Sequence, residues 1–178
     1  MSIIERNDLS FDDVISLIEN PNKISLSDTT KSKIIKCYDL VKRLSNEKKA
    51  VYGINTGFGP LCTKKISIEE IELLQKNLLL SHAVGVGEPI DPFISKIMML
   101  CKIISLSKGY SGIRLEIIER LIYFLKNDLT PVVPKQGSVG ASGDLAPLSH
   151  LFLPLIGIGY FWKGKEKVPA DLILKEHH

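Results

Sequence analysis

Residues 137–148 of this 178-residue chain spell Gly-Ser-Val-Gly-Ala-Ser-Gly-Asp-Leu-Ala-Pro-Leu, a run of small residues that leads into an apolar segment. A phosphate-binding loop would continue with Gly-Lys-Ser/Thr, and a dinucleotide loop would show Gly-x-Gly-x-x-Gly. The run approaches the Gly-x-Ser-x-Gly turn of serine hydrolases, but Asp144 stands where that turn has its last glycine. A hydrolase pair of Ser142 with His150 is disfavoured because no acidic partner accompanies it. What remains is the tripeptide Ala141-Ser142-Gly143.

This tripeptide has the small residues that a backbone cyclisation needs. Gly143 tolerates unusual dihedral angles, and the small side chain of Ala141 leaves its carbonyl carbon accessible. If the nitrogen of Gly143 attacks that carbon, a five-membered ring closes. Loss of two waters, one carrying the Ser142 hydroxyl, then leaves an exocyclic methylidene electrophile. A helix that starts at Asp144 would place amide donors near the ring. From the residues alone, an ordinary Gly/Ser loop ahead of a helix capped by Asp144 explains the same stretch.

The stretch 137–148 resembles the signature of the aromatic amino acid ammonia-lyases, whose electrophile is a 4-methylideneimidazol-5-one group (MIO). Three further blocks resemble the same family in the same order: Tyr52 to Gly59, Ser81 to Gly87 and Gly109 to Arg114. The resemblance implies that Ala141-Ser142-Gly143 forms the MIO group. Neither a metal nor a soluble cofactor is therefore expected.

The same resemblance assigns roles to three other residues. Tyr52 is expected to be the base that removes the β-proton of the substrate. Ser81 and His82 are expected to face the substrate side chain, because family members that act on histidine carry Ser-His here. His82 would offer an imidazole a hydrogen bond that a phenyl ring could not return. The implied reaction is non-oxidative deamination of L-histidine to urocanate and ammonia. A tyrosine- or phenylalanine-type lyase, or an aminomutase with the same electrophile, is the alternative.

Family members are much longer than this chain. We therefore expect residues 1–178 to form a single domain, the N-terminal, MIO-bearing part of a longer lyase without its central helical bundle. The resemblance implies a homotetramer for the full-length protein, and this part alone is expected to be inactive. The alternative from a different functional class is an inert fragment that acts in assembly only.

Helical periodicity dominates the chain, so we expect a mainly α protein. It should be the N-terminal helical domain of the ammonia-lyase fold, with short strands and a loop carrying the tripeptide. Helix starts are predicted at Ser10, about Ser27, Ser67, Asp91, Ser111 and Asp144. The helix from Phe93 to Leu106 is apolar nearly all round, which predicts burial on most sides. A short strand is predicted over residues 50–54, and a hairpin over residues 160–167 that turns at Lys163-Gly164.

Composition and charge exclude several functional classes. Apolar residues make up 44% of the chain, and its net charge of +3 comes from 23 basic and 20 acidic residues that are mixed along it. No basic run with interleaved aromatic residues suggests nucleic acid. The first residues lack the apolar core of a signal peptide, and no apolar stretch approaches the length of a membrane span. Three widely spaced cysteines without a CxxC pair fit a reducing compartment. We expect a soluble cytoplasmic protein that binds an amino acid substrate, and neither nucleic acid nor a membrane.

Overall fold

The computed structural model describes residues 3–47, 49–57, 66–138 and 141–177, and this part of the chain is mainly helical, as predicted. Its α-helices are α1 (Phe11–Glu19), α2 (Asp28–Ser45), α3 (Ile68–His82), α4 (Pro92–Ser107), α5 (Leu115–Lys126), α6 (Leu145–Phe152) and α7 (Ala170–Glu176). Short 3-10 helices are Ile3–Glu5, Pro21–Lys23 and Leu153–Ile156. None of the described helices is long and apolar enough to cross a membrane.

Five short strands form two small antiparallel sheets in the described part of the chain. The strands are β1 (Val86–Pro89), β2 (Thr130–Pro131), β3 (Pro134–Gln136), β4 (Tyr160–Lys163) and β5 (Glu166–Pro169). Strand β1 pairs with β3, and β4 lies between β2 and β5. The predicted hairpin is confirmed, but its turn lies one residue later than predicted, because Lys163 pairs with Glu166 and leaves Gly164 and Lys165 in the loop.

Local capping chemistry sets several helix starts where the sequence predicts them. Ser10 accepts a hydrogen bond from the amide of Asp13, and the Asp13 carboxylate accepts one from the amide of Ser10. Ser67 and Glu70 form the same reciprocal pair at the start of α3. The carboxylate of Asp91 accepts from the amide of Phe93 at 2.7 Å and begins α4. Such caps satisfy amides that the first helical turn leaves without intrahelical partners.

Helix α4 lies at the centre of the hydrophobic core and contacts α1, α2, α5 and β2. Met99, Leu100 and Ile103 on α4 are fully buried. The prediction of burial on most sides holds only in part, because Ile94 is 46% exposed and Cys101 is also exposed. One apolar face of α4 therefore reaches the surface, and it lines the groove described below.

The predicted strand over residues 50–54 is wrong. This segment forms a turn instead, in which the amides of Ile54 and Asn55 both donate to the carbonyl oxygen of Val51. The Asn55 side chain accepts from the amide of Val51 at 2.7 Å and donates to the carbonyl oxygen of Lys49 at 3.0 Å. Because these local bonds satisfy the backbone, the segment needs no strand partner.

The predicted cap at Ser111 is also wrong, since α5 begins four residues later, at Leu115. Gly112 has φ 69°, and a Cβ atom on it would come within 2.4 Å of Val41 on α2. The chain must therefore pass Val41 in a left-handed conformation that only glycine adopts readily. Helical geometry begins only after this close approach.

Candidate active site

Ala141, Ser142 and Gly143 lie on an exposed bend directly before α6. Gly143 has φ 73°, and a Cβ atom added to it would meet no atom of the described residues within 4 Å. The hydroxyl of Ser138 donates to the carbonyl oxygen of Gly143. Val139 and Gly140 lie outside the described residues. The tripeptide is thus accessible, and its last residue has a conformation that favours glycine.

Asp144 occupies the position before α6, but the predicted carboxylate cap is wrong. Its backbone is helical (φ −111°, ψ −8°), and its side chain makes no capping hydrogen bond. A capping side chain usually requires an extended backbone in order to fold back over the first amides. The N-terminal end of α6 therefore follows the tripeptide without a carboxylate cap, so its partial positive charge is not offset by one.

Ser81 and His82 form the C-terminal end of α3. The Nδ1 atom of His82 lies 2.7 Å from the carbonyl oxygen of Leu78, which requires a proton on Nδ1. The Ser81 hydroxyl donates to the same carbonyl oxygen at 3.2 Å. In the neutral imidazole the Nε2 atom of His82 therefore carries a lone pair, and the ring is held by its own helix.

The β1–β3 pair brings the segment after His82 next to the segment before the tripeptide. Val86 pairs with Gln136, so His82 precedes this pair by four residues and Ala141 follows it by five. A Cβ atom on Gly137 would come within 2.6 Å of the Cα atom of Gly85, so the two backbones touch here. The two predicted parts of the site are therefore carried by adjoining backbone segments.

His150 on α6 joins the same region from the other side. Its Nε2 atom accepts a hydrogen bond of 2.9 Å from the amide of Gly85. Burial lowers the pKa of His150 below its ordinary value. An Nε2 atom that accepts from Gly85 is not available to take a proton from Ser142, which argues against the hydrolase pair and favours a structural role.

Tyr52 lies elsewhere along the chain, on the turn that follows α2, and it is 63% exposed. Asn55 holds this turn through hydrogen bonds to the carbonyl oxygens of Glu47 and Lys49. The glycine-rich loop after it continues into residues 58–65, which lie outside the described residues. The β1–β3 pair and the contact between Gly85 and Gly137 therefore link the segment after His82 to the tripeptide region. The turn that carries Tyr52 is held by the hydrogen bonds of Asn55 to the chain that follows α2.

An open apolar groove of about 530 Å³ adjoins the tripeptide and was not predicted from the sequence. Its walls come from α4 and α6, and its lining includes Ile94, Met98, Gly143, Asp144 and Leu148. The apolar excess on α4 was the sequence signal for it. Within the described residues, no group of three or more His, Cys, Asp and Glu side chains is arranged to hold a metal ion.

Comparison with known proteins identifies the family. The family model for aromatic amino acid lyases matches residues 9–178. The chain belongs to the aromatic amino acid lyase family. The histidine ammonia-lyase of Symbiobacterium thermophilum is 46% identical over 151 residues, which are 85% of this chain and 30% of that protein. The chain spans about a third of the length of the curated relatives it matches.

Solved structures agree with this assignment. The histidine ammonia-lyase from Trypanosoma cruzi superposes with a TM-score of 0.82 at 34% identity, over 94% of this chain and 32% of that one. A tyrosine aminomutase from Streptomyces globisporus gives 0.87 at 28% identity, over 97% of this chain and 32% of that one. Both structures support the predicted fold, that of the N-terminal part of an aromatic ammonia-lyase.

Proposed function

We propose that this chain is the N-terminal, single-domain part of a lyase that converts L-histidine to urocanate and ammonia. The observation that carries the proposal is the β1–β3 pair, which brings the backbone after Ser81-His82 against the backbone before Ala141-Ser142-Gly143. The histidine ammonia-lyases among its relatives support the same substrate. A cytoplasmic location and a homotetramer of the full-length protein stay predictions from the family resemblance.

Residues 141–143 fit an MIO group. The bend is exposed, Gly143 already has a left-handed backbone, and no atom of the described residues lies within 4 Å of the place where its Cβ atom would stand. A left-handed backbone at Gly143 is compatible with a turn that brings its nitrogen toward the carbonyl carbon of Ala141. Once formed, the group supplies an electrophilic carbon that ordinary side chains lack.

The other residues of the proposal bind the substrate and move a proton. Because Leu78 fixes the Nδ1 proton of His82, its Nε2 atom is the one that meets the substrate imidazole. A histidine substrate can donate to that lone pair, whereas a phenyl ring cannot, so the contact discriminates between the two. Tyr52 takes the β-proton, and its place on an exposed turn is compatible with a segment that closes over bound substrate.

A second candidate function is an aminomutase or a tyrosine-type lyase with the same electrophile. The aminomutase superposition is the observation that favours it. Both candidates use residues 141–143 in the same way, so they differ at the residues that face the substrate side chain. The Ser81-His82 pair favours histidine.

Two measurements on the complete gene product test the proposal. Intact mass spectrometry is expected to give a protein lighter than its sequence by two waters, and a Ser142→Ala variant is expected to lack this loss. Ultraviolet absorbance then distinguishes urocanate from cinnamate- or coumarate-type products. An unmodified wild-type mass would refute the MIO group. The mass loss together with a product other than urocanate would favour the second candidate, and the mass loss with no turnover would indicate an inert protein.

A further inference from the structure

Three separate parts of the chain meet at the backbone of Gly85. Gly137, before the tripeptide, lies against it on one side, and the imidazole of His150 lies against it on another. A Cβ atom on Gly85 would come within 2.9 Å of Nε2 of His150 and 3.0 Å of Cβ of Pro134. Gly85 is thus enclosed between the loop that carries the tripeptide and the helix that follows it.

The hydrogen bond fixes the protonation of His150. The amide of Gly85 donates at 2.9 Å, so Nε2 of His150 carries a lone pair and the neutral ring keeps its proton on Nδ1. Burial lowers the pKa of His150, which agrees with a neutral ring at pH 7. Lys135 on β3 lines a small cavity together with Gly85 and His150, and it contributes a positive charge there. His82 lies on α3, which packs against α6, and it is the other titratable ring in this region.

Besides the packing of α3 against α6, the backbone link between the end of α3 and the segment before the tripeptide is the β1–β3 pair. The β1–β3 pair has only two strands, and its register shifts between Val86 and Pro89. A two-stranded pair is only marginally stable alone, so a further contact at this point adds to what holds the two segments together. The hydrogen bond that the amide of Gly85 donates to His150 ties the residue three positions after His82 directly to α6.

We propose that His150 is a positioning residue that sets the separation between Ser81-His82 and Ala141-Ser142-Gly143. The role rests on the proposed function, because that function requires the substrate side chain and the electrophile to be held at a fixed distance. His150 touches neither the substrate nor the reacting atoms. It acts through Gly85, by holding the end of α3 against the helix that begins at the tripeptide.

Two variants of the complete gene product separate the acceptor from the bulk of the side chain. His150→Gln keeps an oxygen acceptor at about the reach of Nε2, whereas His150→Leu keeps volume and removes the acceptor. His177→Leu is the matched control, because His177 bonds to Tyr123 outside this region. We expect His150→Leu to lower kcat for histidine roughly tenfold to a hundredfold, since a small misplacement in a site costs that much. His150→Gln should restore most of the rate, and all three variants should keep the mass loss of two waters.

Amide exchange provides a readout that does not depend on turnover. The amide of Gly85 should exchange faster in His150→Leu and at the wild-type rate in His150→Gln. Equal kcat in His150→Leu and wild type would overturn the positioning role while leaving the proposed function intact. Loss of the mass change in His150→Leu would overturn it too, because His150 would then act on ring formation. A wild-type protein that makes no urocanate would overturn the proposed function, and the positioning role with it, even if Gly85 exchanges as expected.

Discussion

Gly137 lies so close to Gly85 that a Cβ atom on Gly137 would come within 2.6 Å of the Cα atom of Gly85. Gly137 also has φ 142°, a conformation that L side chains rarely adopt. Backbone contact at this point lets the segment after α3 and the segment before the tripeptide approach more closely than side chains would permit. The geometry of the candidate site therefore depends on two glycines that carry no chemistry themselves.

A Gly137→Ala substitution should destabilise the protein by more than about 1 kcal/mol, because the new methyl group meets rigid backbone in addition to the strained φ. Urea unfolding followed by circular dichroism measures the change. Gly157→Ala is the matched control, since Gly157 has φ 74° but an added Cβ atom would meet no atom of the described part of the chain within 4 Å. Equal losses of stability in the two variants would mean that the contact with Gly85 contributes nothing.

The proposed roles of Tyr52 and Ser142 predict different kinds of loss in the complete gene product. Tyr52→Phe should keep the mass loss of two waters and lower kcat by about a hundredfold to ten-thousandfold, the usual contribution of a general base. Ser142→Ala should lose both the mass change and most of the turnover. Tyr160→Phe, on the exposed side of the hairpin, controls for removal of a phenol hydroxyl. Near-normal turnover in Tyr52→Phe would exclude it as the base.

The parts of the fold that sequence predicts well are those that local chemistry determines. Ser10, Ser67 and Asp91 begin helices where they are predicted, because each cap involves residues two or three positions apart. Strand β1 was not predicted, since its partner β3 lies about fifty residues later and the segment itself contains glycine and proline. Pairings of that kind depend on tertiary packing, which overrides local propensity.

The candidate site also contains parts that the sequence predicts and parts that it does not. Residues 141–143 and the Ser81-His82 pair were found from motif residues, but their link through Gly85 and His150 spans 65 positions of sequence. No local pattern marks such a contact. The misplaced start at Ser111 has a similar origin, since Val41 on another helix determines the conformation of Gly112.

Substrate selectivity should depend on His82 more than on Ser81. His82→Leu is expected to lower kcat/KM for histidine roughly tenfold to a hundredfold, because the variant lacks the Nε2 acceptor for the N–H group of the substrate imidazole. Ser81→Ala should have a smaller effect, since the Ser81 hydroxyl donates to its own helix at Leu78. Steady-state kinetics with histidine, tyrosine and phenylalanine measure both changes. A proportional loss with all three substrates would mean that His82 does not select the side chain.

The free energy of unfolding should respond differently when each of two buried serines on α4 is replaced by alanine. Ser95 is fully buried, and its Oγ atom has no hydrogen-bond partner among the residues that the structure describes. The hydroxyl of Ser107, in contrast, donates to the carbonyl oxygen of Ile103 at 2.7 Å. Removing an unsatisfied buried hydroxyl should raise the free energy of unfolding by about 1 kcal/mol. Ser107→Ala should leave it unchanged or lower it. Denaturant unfolding of the two variants measures both changes. A lower free energy of unfolding in Ser95→Ala would indicate that the Ser95 hydroxyl has a partner in solution.

Stability should fall as the pH is lowered through the range in which an ordinary histidine titrates, and His150 should cause part of the fall. Because burial lowers its pKa, the folded protein resists a proton that the unfolded chain accepts near pH 6.5. Above that pH both states are neutral at His150 and it adds no pH dependence. Below it the unfolded state binds more protons, so the free energy of unfolding decreases until the folded pKa is passed.

The measurement is the free energy of unfolding from pH 7.5 to pH 5 in wild type and in His150→Gln. Subtracting the two curves cancels the contributions of all groups that the two proteins share. The wild type should lose more stability than the variant across this window, since glutamine keeps the acceptor for Gly85 without titrating. Parallel curves would show that His150 has the same pKa in the folded and unfolded states. The inference that His150 is a partly buried, neutral acceptor would then be wrong.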